Sequence, residues 1–452
     1  MSGQIPGIHK TTTTLLASIA VLVCLAVVLF NVLPPRIQES TQASQAVVAT
    51  DDWGQWGGPN RNFSVSGSFA EFTPKIVWQR GIGAGHSAVV VKDEAAIVCY
   101  KQGKSEAVEK LTANQGRSLW KTEVPVTYQP SGGRYDGPHS TPLIFNSLIY
   151  HVSIDGVARS FYLADGKVGW KYDLKTTGMS LPQAGYGSSP ILARNLLVLP
   201  TLGDSIAAET EFFDPKRKVG KVPGAIALDP LTGKLLWKSD SFRSSHASPV
   251  EISIGDQNCL VFHGMFELVG LDPETGKILW RHLLRKTAAD NVSFTPLWDP
   301  KRNQIVISHG YCDVGTQAIS IDYSDSKWQV KTAWKNRDLK IVHTNAVLVG
   351  DLFVGTNRSP ATSQVEIDLS SGKTLRRLRG TKKANFLVAG KSCLRLEEDG
   401  RLSVLNLESA TQGIRHPVLS GSCWTVPTVT ENRVFLRNDS QIKVMSLESP
   451  RR

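Results

Sequence analysis

The stretch "ALDPLTGKLLWK" (227–238) returns as "GLDPETGKILWR" (270–281), and the reading of this near-duplicate decides the fold. In each copy one apolar residue, Leu228 or Leu271, ends a strand, and another, Leu235 or Ile278, begins the next. Between them Asp229 can accept backbone N–H groups in an Asx turn, Pro230 presets φ, and Gly233 can take a positive φ. The motif therefore predicts a hairpin connector. Trp237 and Trp280 fall near the end of the outer strand, where an indole can dock between neighbouring sheets and its N–H can reach a carbonyl. Asp229, Gly233 and Trp237, with Asp272, Gly276 and Trp280, are read as scaffold and not as chemistry.

Working outward, the Trp-Lys/Arg pair recurs at Trp120, Trp170, Trp237, Trp280 and Trp334. The interval of roughly 45 to 60 residues belongs to repeat architectures. A second motif of small residues keeps step with it, in "GHSAVVV" (85–91), "PHSTPLIF" (138–145), "GYGSSPILA" (185–193), "SHASPVEI" (245–252), "VSFTPLW" (292–298), "HTNAVLV" (343–349) and "CWTVPTVT" (423–430). Two further apolar runs lie between the two marks. Four short strands per unit describe a propeller blade, an antiparallel sheet that buries both faces only when neighbours stack on it. "ANFLVAGKSCLRLEEDGRLSVLNLES" (384–409) supplies a seventh blade, and "RVFLRNDSQIKVMSLES" (433–449) the inner strands of an eighth. The outer strand of that eighth blade is missing at the C-terminal end, and "KIVWQRG" (75–81) is an outer strand without a blade. Pairing the two closes the ring and removes its exposed edges. The expected fold is an all-β, eight-bladed β-propeller spanning 75–448.

Ahead of it lies an uncharged run, "LLASIAVLVCLAVVLFNVL" (15–33), of roughly the length a membrane-crossing helix needs. No small-x-small cleavage site follows it closely, so an uncleaved signal anchor is expected, with 1–14 as a short cytoplasmic tail and 34–74 as a linker and Trp-rich segment. Lys10 precedes the run, and Glu39, Asp51 and Asp52 follow it, which places the propeller outside the cytoplasm, periplasmic or at the cell surface. The net charge of +11 comes with no nucleic-acid-binding motif, and its clusters, such as "KRKVGK" (216–221) and "RRLRGTKK" (376–383), fall in apparent loops. They read as a solvated basic face or, alternatively, as a surface that attracts anionic lipid or acidic polysaccharide, and nucleic acid is not an expected partner. The six cysteines show no C-x-x-C, vicinal or haem-attachment pattern, which argues for small buried residues.

Units carrying "LDPxTGKxLW" after "SSP" or "SHASP" resemble the pyrroloquinoline-quinone-like repeat of quinoprotein dehydrogenases and of periplasmic outer-membrane-assembly propellers. With "WGQWGGPNRNFSVSG" (53–67) and "ISHGYCDVGTQAISI" (307–321), the chain looks closest to membrane-anchored or exported propellers of planctomycete-type bacteria. The resemblance implies the fold and leaves activity open, because this repeat supports enzymes, scaffolds and sensors alike. The quinone enzymes carry a vicinal disulfide, a catalytic Asp and calcium ligands; no adjacent cysteines occur here. No cofactor is therefore expected, and pyrroloquinoline quinone with calcium belongs only to an alternative reading as a quinone-dependent dehydrogenase.

Function is sought instead on the rim bearing the long loops, 122–137, 203–222 and 309–317. His86, His139, His246 and His343 share one register at the start of inner strands and should face that mouth of the channel. They read either as hydrogen-bonding groups or as part of a ligand or metal site, aided by Arg134, Tyr135, Asp136, Tyr186, Arg243, Tyr311, Asn345 and Trp424. Spread round a ring, all four cannot ligate one zinc ion. The expectation is a non-catalytic module that binds a protein, a glycan or a small molecule at this rim, with a cell-envelope assembly scaffold as a further alternative.

Overall fold

The computed structural model describes residues 1, 3 and 52–447, apart from 129–135, 183, 203–221, 286–291, 311–313, 359–361 and 410. The expected anchor, the linker up to 51, and Arg134, Tyr135 and Tyr311 lie outside the described residues. Among those described, no helix is long and apolar enough to cross a membrane.

Eight antiparallel sheets form the body. Blade 3 shows the pattern: Ile191–Ala193, Leu196–Pro200, Ala225–Leu228 and Leu235–Lys238 run from the centre outward in sequence order. The inner strands of the other blades begin at Val90, Leu143, Val250, Leu297, Val347, Ala384 and Thr428. Blade 8 closes the ring as its sequence pattern requires. Lys75–Gly81 pairs antiparallel with Gln441–Ser446, and Trp78 of this strand sits opposite Val444. Middle strands such as Leu148–Val152 and Ser392–Glu397 are buried throughout, whereas outer strands alternate, as faces stacked between blades and a wet perimeter demand.

The repeated connector folds as its residues dictate. Asp229 Oδ1 accepts the backbone N–H groups of Leu231 and Thr232 and the Thr232 hydroxyl, and Asp272 does the same for Glu274 and Thr275. Gly233 and Gly276 both take φ +70°. Each glycine underlies the indole of the preceding blade: Trp78 lies on Gly116, Trp120 on Gly166, Trp170 on Gly233, Trp237 on Gly276 and Trp334 on Gly372. The Trp78, Trp120, Trp170 and Trp334 N–H groups donate to the carbonyls of Ala113, Leu163, Pro230 and Leu369. Trp237 Nε1 finds no such partner, contrary to expectation. Trp280 also departs from the scheme. Blade 5 has no glycine connector, its turn being Asp325 and Ser326 at φ 52° and 58°, so Trp280 packs with Ile305 and Ile319 of that blade instead.

The small-residue motif proves to be a belt around the channel. Ala88 N–H donates to Thr141 Oγ1, Thr141 N–H to Ser189 Oγ, and Ser189 N–H to Ser248 Oγ, linking blades 1 to 4 in turn. Hydroxyls at this position satisfy backbone donors that the short inner strands leave unpaired, which is why Ser or Thr precedes the proline in blades 2 to 5.

Sequence reading leaves residues 34–74 outside the ring, but the part from Asp52 to Val65 crosses the channel. Asp52–Trp53 pairs antiparallel with Val90–Lys92, and Ser64–Val65 pairs in parallel with Ala384–Ala389. Between these points Ile144 N–H donates to the Gly54 carbonyl, Trp56 Nε1 donates to Thr295 Oγ1, and Arg61 donates to the carbonyls of Pro190 and Pro249. Trp53 and Phe63 are almost wholly buried. This segment is a plug tied to the inner strands of six blades.

Candidate functional site

The plug turns the channel into a blind cavity of about 150 Å³ with Trp56 in its wall. That is the size of an engineered protein cavity that admits a benzene ring. His86, His139, His246 and His343, from blades 1, 2, 4 and 6, all line it, together with Asn345 and Trp424. The common register brings the four imidazoles together because each stands in the turn entering an inner strand.

Trp424, in the turn before the inner strand of blade 8, organises the wall. It stacks with His86 at 5.3 Å and 30° and with His343 at 6.3 Å and 22°, and Lys383 Nζ lies 5.5 Å from its ring centre. His139 meets His86 edge to face at 5.2 Å. His343 adopts φ 58°, a left-handed conformation that costs energy for a side chain with a Cβ and recurs at functional positions. Asn345 donates to the Phe386 carbonyl and accepts from Phe386 N–H, and Asn385 donates to the Trp424 carbonyl, so the polar wall also ties blades 6, 7 and 8 together.

Burial holds three of these imidazoles, those of His86, His246 and His343, neutral. The His86 pKa falls to about 4 through burial, then the charge of Arg437 and the neighbouring His343. His246 falls to about 3 through burial and the nearby His139 and His343, and His343 to about 4 through burial and Lys383. His246 Nε2 is buried without a hydrogen-bond partner. The remaining wall supplies Ser189, Ser248, Ser293, Thr295, Thr344 and Asn385. Sequence reading missed these residues, although the Ser/Thr-Pro dipeptides mark three of them. No carboxylate and no cationic side chain stands among the described lining residues, and among the described residues no three His, Cys, Asp or Glu side chains group as metal ligands.

Other residues singled out from the sequence lie elsewhere. Tyr186 is buried, its hydroxyl donating to the Pro200 carbonyl, and only its neighbour Gly187 reaches the cavity. Arg243 lies 5.5 Å from the ring of Phe266, and Asp136 is held by Lys101 Nζ at 2.6 Å. The four described cysteines, Cys99, Cys259, Cys393 and Cys423, are buried and unbridged.

Pyrroloquinoline quinone, which some propellers of this fold carry, does not suit the cavity. It is a tricarboxylate, and its calcium ion takes oxygen ligands, commonly carboxylates. The described lining residues are imidazoles, indoles, hydroxyls and amides, with neither a carboxylate nor a cationic side chain among them; Asp439 beside His86 and Lys383 over Trp424 are single charges at its margin, not a set of ligands for calcium or for three carboxylates.

The sequence matches the family described as outer membrane protein assembly factor BamB over residues 61–211 and 223–379. No curated protein matches it. Among solved structures, BamB from Moraxella catarrhalis superposes with a TM-score of 0.56 at 12% identity, covering 83% of this chain and 98% of its own. The computationally designed Ika8 protein gives 0.55 at 14%, covering 83% and 100%. The quinohemoprotein alcohol dehydrogenase from Comamonas testosteroni gives 0.50 at 12%, covering 89% and 81%. At such identities the likeness concerns the fold alone.

Proposed function

Because this chain belongs to the family of the outer membrane protein assembly factor BamB, we propose that it is a non-catalytic binding module whose histidine cavity takes a small uncharged ring, free or carried on a partner protein. The observation that carries this reading is the blind cavity itself: an aromatic stack of His86, Trp424 and His343, a buried unpartnered nitrogen on His246, and hydroxyls at its edge. Such a wall can clasp an aromatic or sugar ring and orient its polar edge. Among the described lining residues there is no carboxylate, and Asp439, 3.6 Å from His86 Nδ1, stands beside them. The apolar run at 15–33 and the charges flanking it support a single-pass anchor with the propeller outside the cytoplasm.

The test uses full-length protein in detergent. p-Cresol, the side chain of tyrosine, should raise its melting temperature saturably, and the His86→Ala/His139→Ala double variant should lose that rise. Absence of any p-cresol effect, or an undiminished one in the double variant, overturns the proposal. Pyrroloquinoline quinone with calcium should change neither melting nor the absorbance spectrum; saturable changes in both would favour a dehydrogenase.

The family description favours a second reading, a cell-envelope assembly scaffold that grips a protein partner. It expects an envelope protein that co-purifies stoichiometrically and stays bound when both His86 and His139 are replaced.

A further inference from the structure

A second cavity, about 640 Å³, lies at the far ends of the inner strands of blades 3 and 4, among the turns opposite the histidine mouth. Its wall combines the plug residues Gln55, Asn60 and Arg61 with Arg194, Asn195 and Asn258. Arg194 and Asn195 form the two-residue turn between Ile191–Ala193 and Leu196–Pro200, both at left-handed φ, so their side chains are presented by a rigid hairpin.

Arg61 is the unusual member. It is 5% exposed, and its Nε and Nη1 donate to the carbonyls of Pro249 and Pro190, with Nη1 also reaching Gln55 Oε1. Among the described residues Nη2 has no partner, and no carboxylate pairs with the guanidinium. A buried charge is ordinarily paired, and an unmet donor beside it carries a desolvation cost that an incoming oxyanion would remove. The one acid in the wall, Glu251, stands 4.0 Å from Arg194, and burial pushes its pKa up. The wall is thus a donor-rich, net positive surface with amide side chains and a hydroxyl, Ser253, around two guanidinium groups.

We propose that this cavity binds a carboxylate-bearing sugar, its carboxylate held by Arg61 and Arg194 and its hydroxyls by Asn60, Asn195 and Asn258. Guanidinium groups match a planar carboxylate, and amides can both donate to and accept from neighbouring hydroxyls. The volume lies within the usual range for small-ligand sites. No aromatic side chain is present among the described lining residues, which sets the site apart from the ring-clasping mouth.

Melting of the full-length protein in detergent is followed with sodium glucuronate, with glucose, and with sodium sulfate at matched ionic strength. Glucuronate should stabilise saturably, and the other two should not. Arg194→Ala/Asn258→Ala should weaken the apparent affinity about tenfold or more, the loss expected for a charge-assisted hydrogen bond; these two sit on the cavity rim and leave the plug anchored. His86→Ala/His139→Ala should bind glucuronate normally, which separates this site from the mouth. No stabilisation by glucuronate, equal stabilisation by glucose or sulfate, or unchanged affinity in Arg194→Ala/Asn258→Ala overturns the proposal.

Discussion

Trp237 and Gly276 meet across the junction of blades 3 and 4, so closely that a Cβ built on Gly276 would overlap the indole. The glycine and the tryptophan of one motif copy therefore serve different junctions: Gly276 receives the preceding blade, and Trp280 reaches toward the following one. Gly276→Ala should lower stability by about 1–3 kcal/mol through overpacking and the strain of its φ of +70°. Gly350 has φ +58° and open space around it, so Gly350→Ala should show the strain alone. Denaturant midpoints of the two variants check this; equal losses would mean the indole contact contributes nothing.

Arg376 stands where the repeat calls for tryptophan, four residues after Gly372, and its Nη2 donates to the Leu407 carbonyl of blade 7. It also grips the buried Glu366 through Nε and Nη2 at 2.9 and 2.6 Å. Arg376→Ala leaves that carboxylate buried with its main partner gone and should cost about 3–5 kcal/mol. Arg376→Ala/Glu366→Gln should recover part of the loss in a melting experiment.

Arg437 is a buried clasp across the junction of blades 8 and 1. Its Nη1 donates to the carbonyls of Ser87 and Cys99 in blade 1. Arg437→Ala should cost about 1–3 kcal/mol for each acceptor left unsatisfied. Limited proteolysis should then cut first near the junction of blades 8 and 1, whereas wild-type protein should resist there.

Acidification should destabilise the protein in a defined window. The folded pKa values of His86, His246 and His343, at about 4, 3 and 4, lie below the usual value near 6.5, so the unfolded chain binds protons first. Stability from these groups is complete above pH 6.5 and is lost as pH falls toward 4, each unit of depression corresponding to about 1.4 kcal/mol. His151 behaves oppositely. Burial pushes its pKa down, but Cys99 and the Glu106 carboxylate outweigh burial and hold it at about 10, so its contribution is full below 6.5 and fades as pH rises toward 10. Melting temperature measured from pH 7 to 4.5 should fall, and His246→Asn should flatten the slope.

The ring was legible because its signals are local and repeated: each Asx turn, each glycine and each Ser/Thr-Pro dipeptide does the same job in successive blades. The four histidines were legible for the same reason, since a shared register in the repeat is a shared position around the axis. Tyr186 belongs to the same motif as Gly187, yet it turns into the core because adjacent residues at a strand entrance face opposite ways. The plug left no such trace. "WGQWGGPNRNFSV" (53–65) has no strand alternation, and its partners are backbone groups of distant blades, which no spacing within the segment reveals. The cavity wall residue Trp56 and the cationic Arg61 were hidden with it.

Ring closure joins the first strand of the propeller to its last, and the Arg437–Ser87 bond spans 350 residues of sequence. Contacts of that separation are slow to form, because most of the chain must be ordered before they are rewarded. During synthesis blades 1 to 7 can stack in order, but Lys75–Gly81 waits, an unpaired edge, until the last strand emerges. The interval is a period of exposure to edge pairing with other chains, and its length is set by the rate of translation rather than by the stability of any blade.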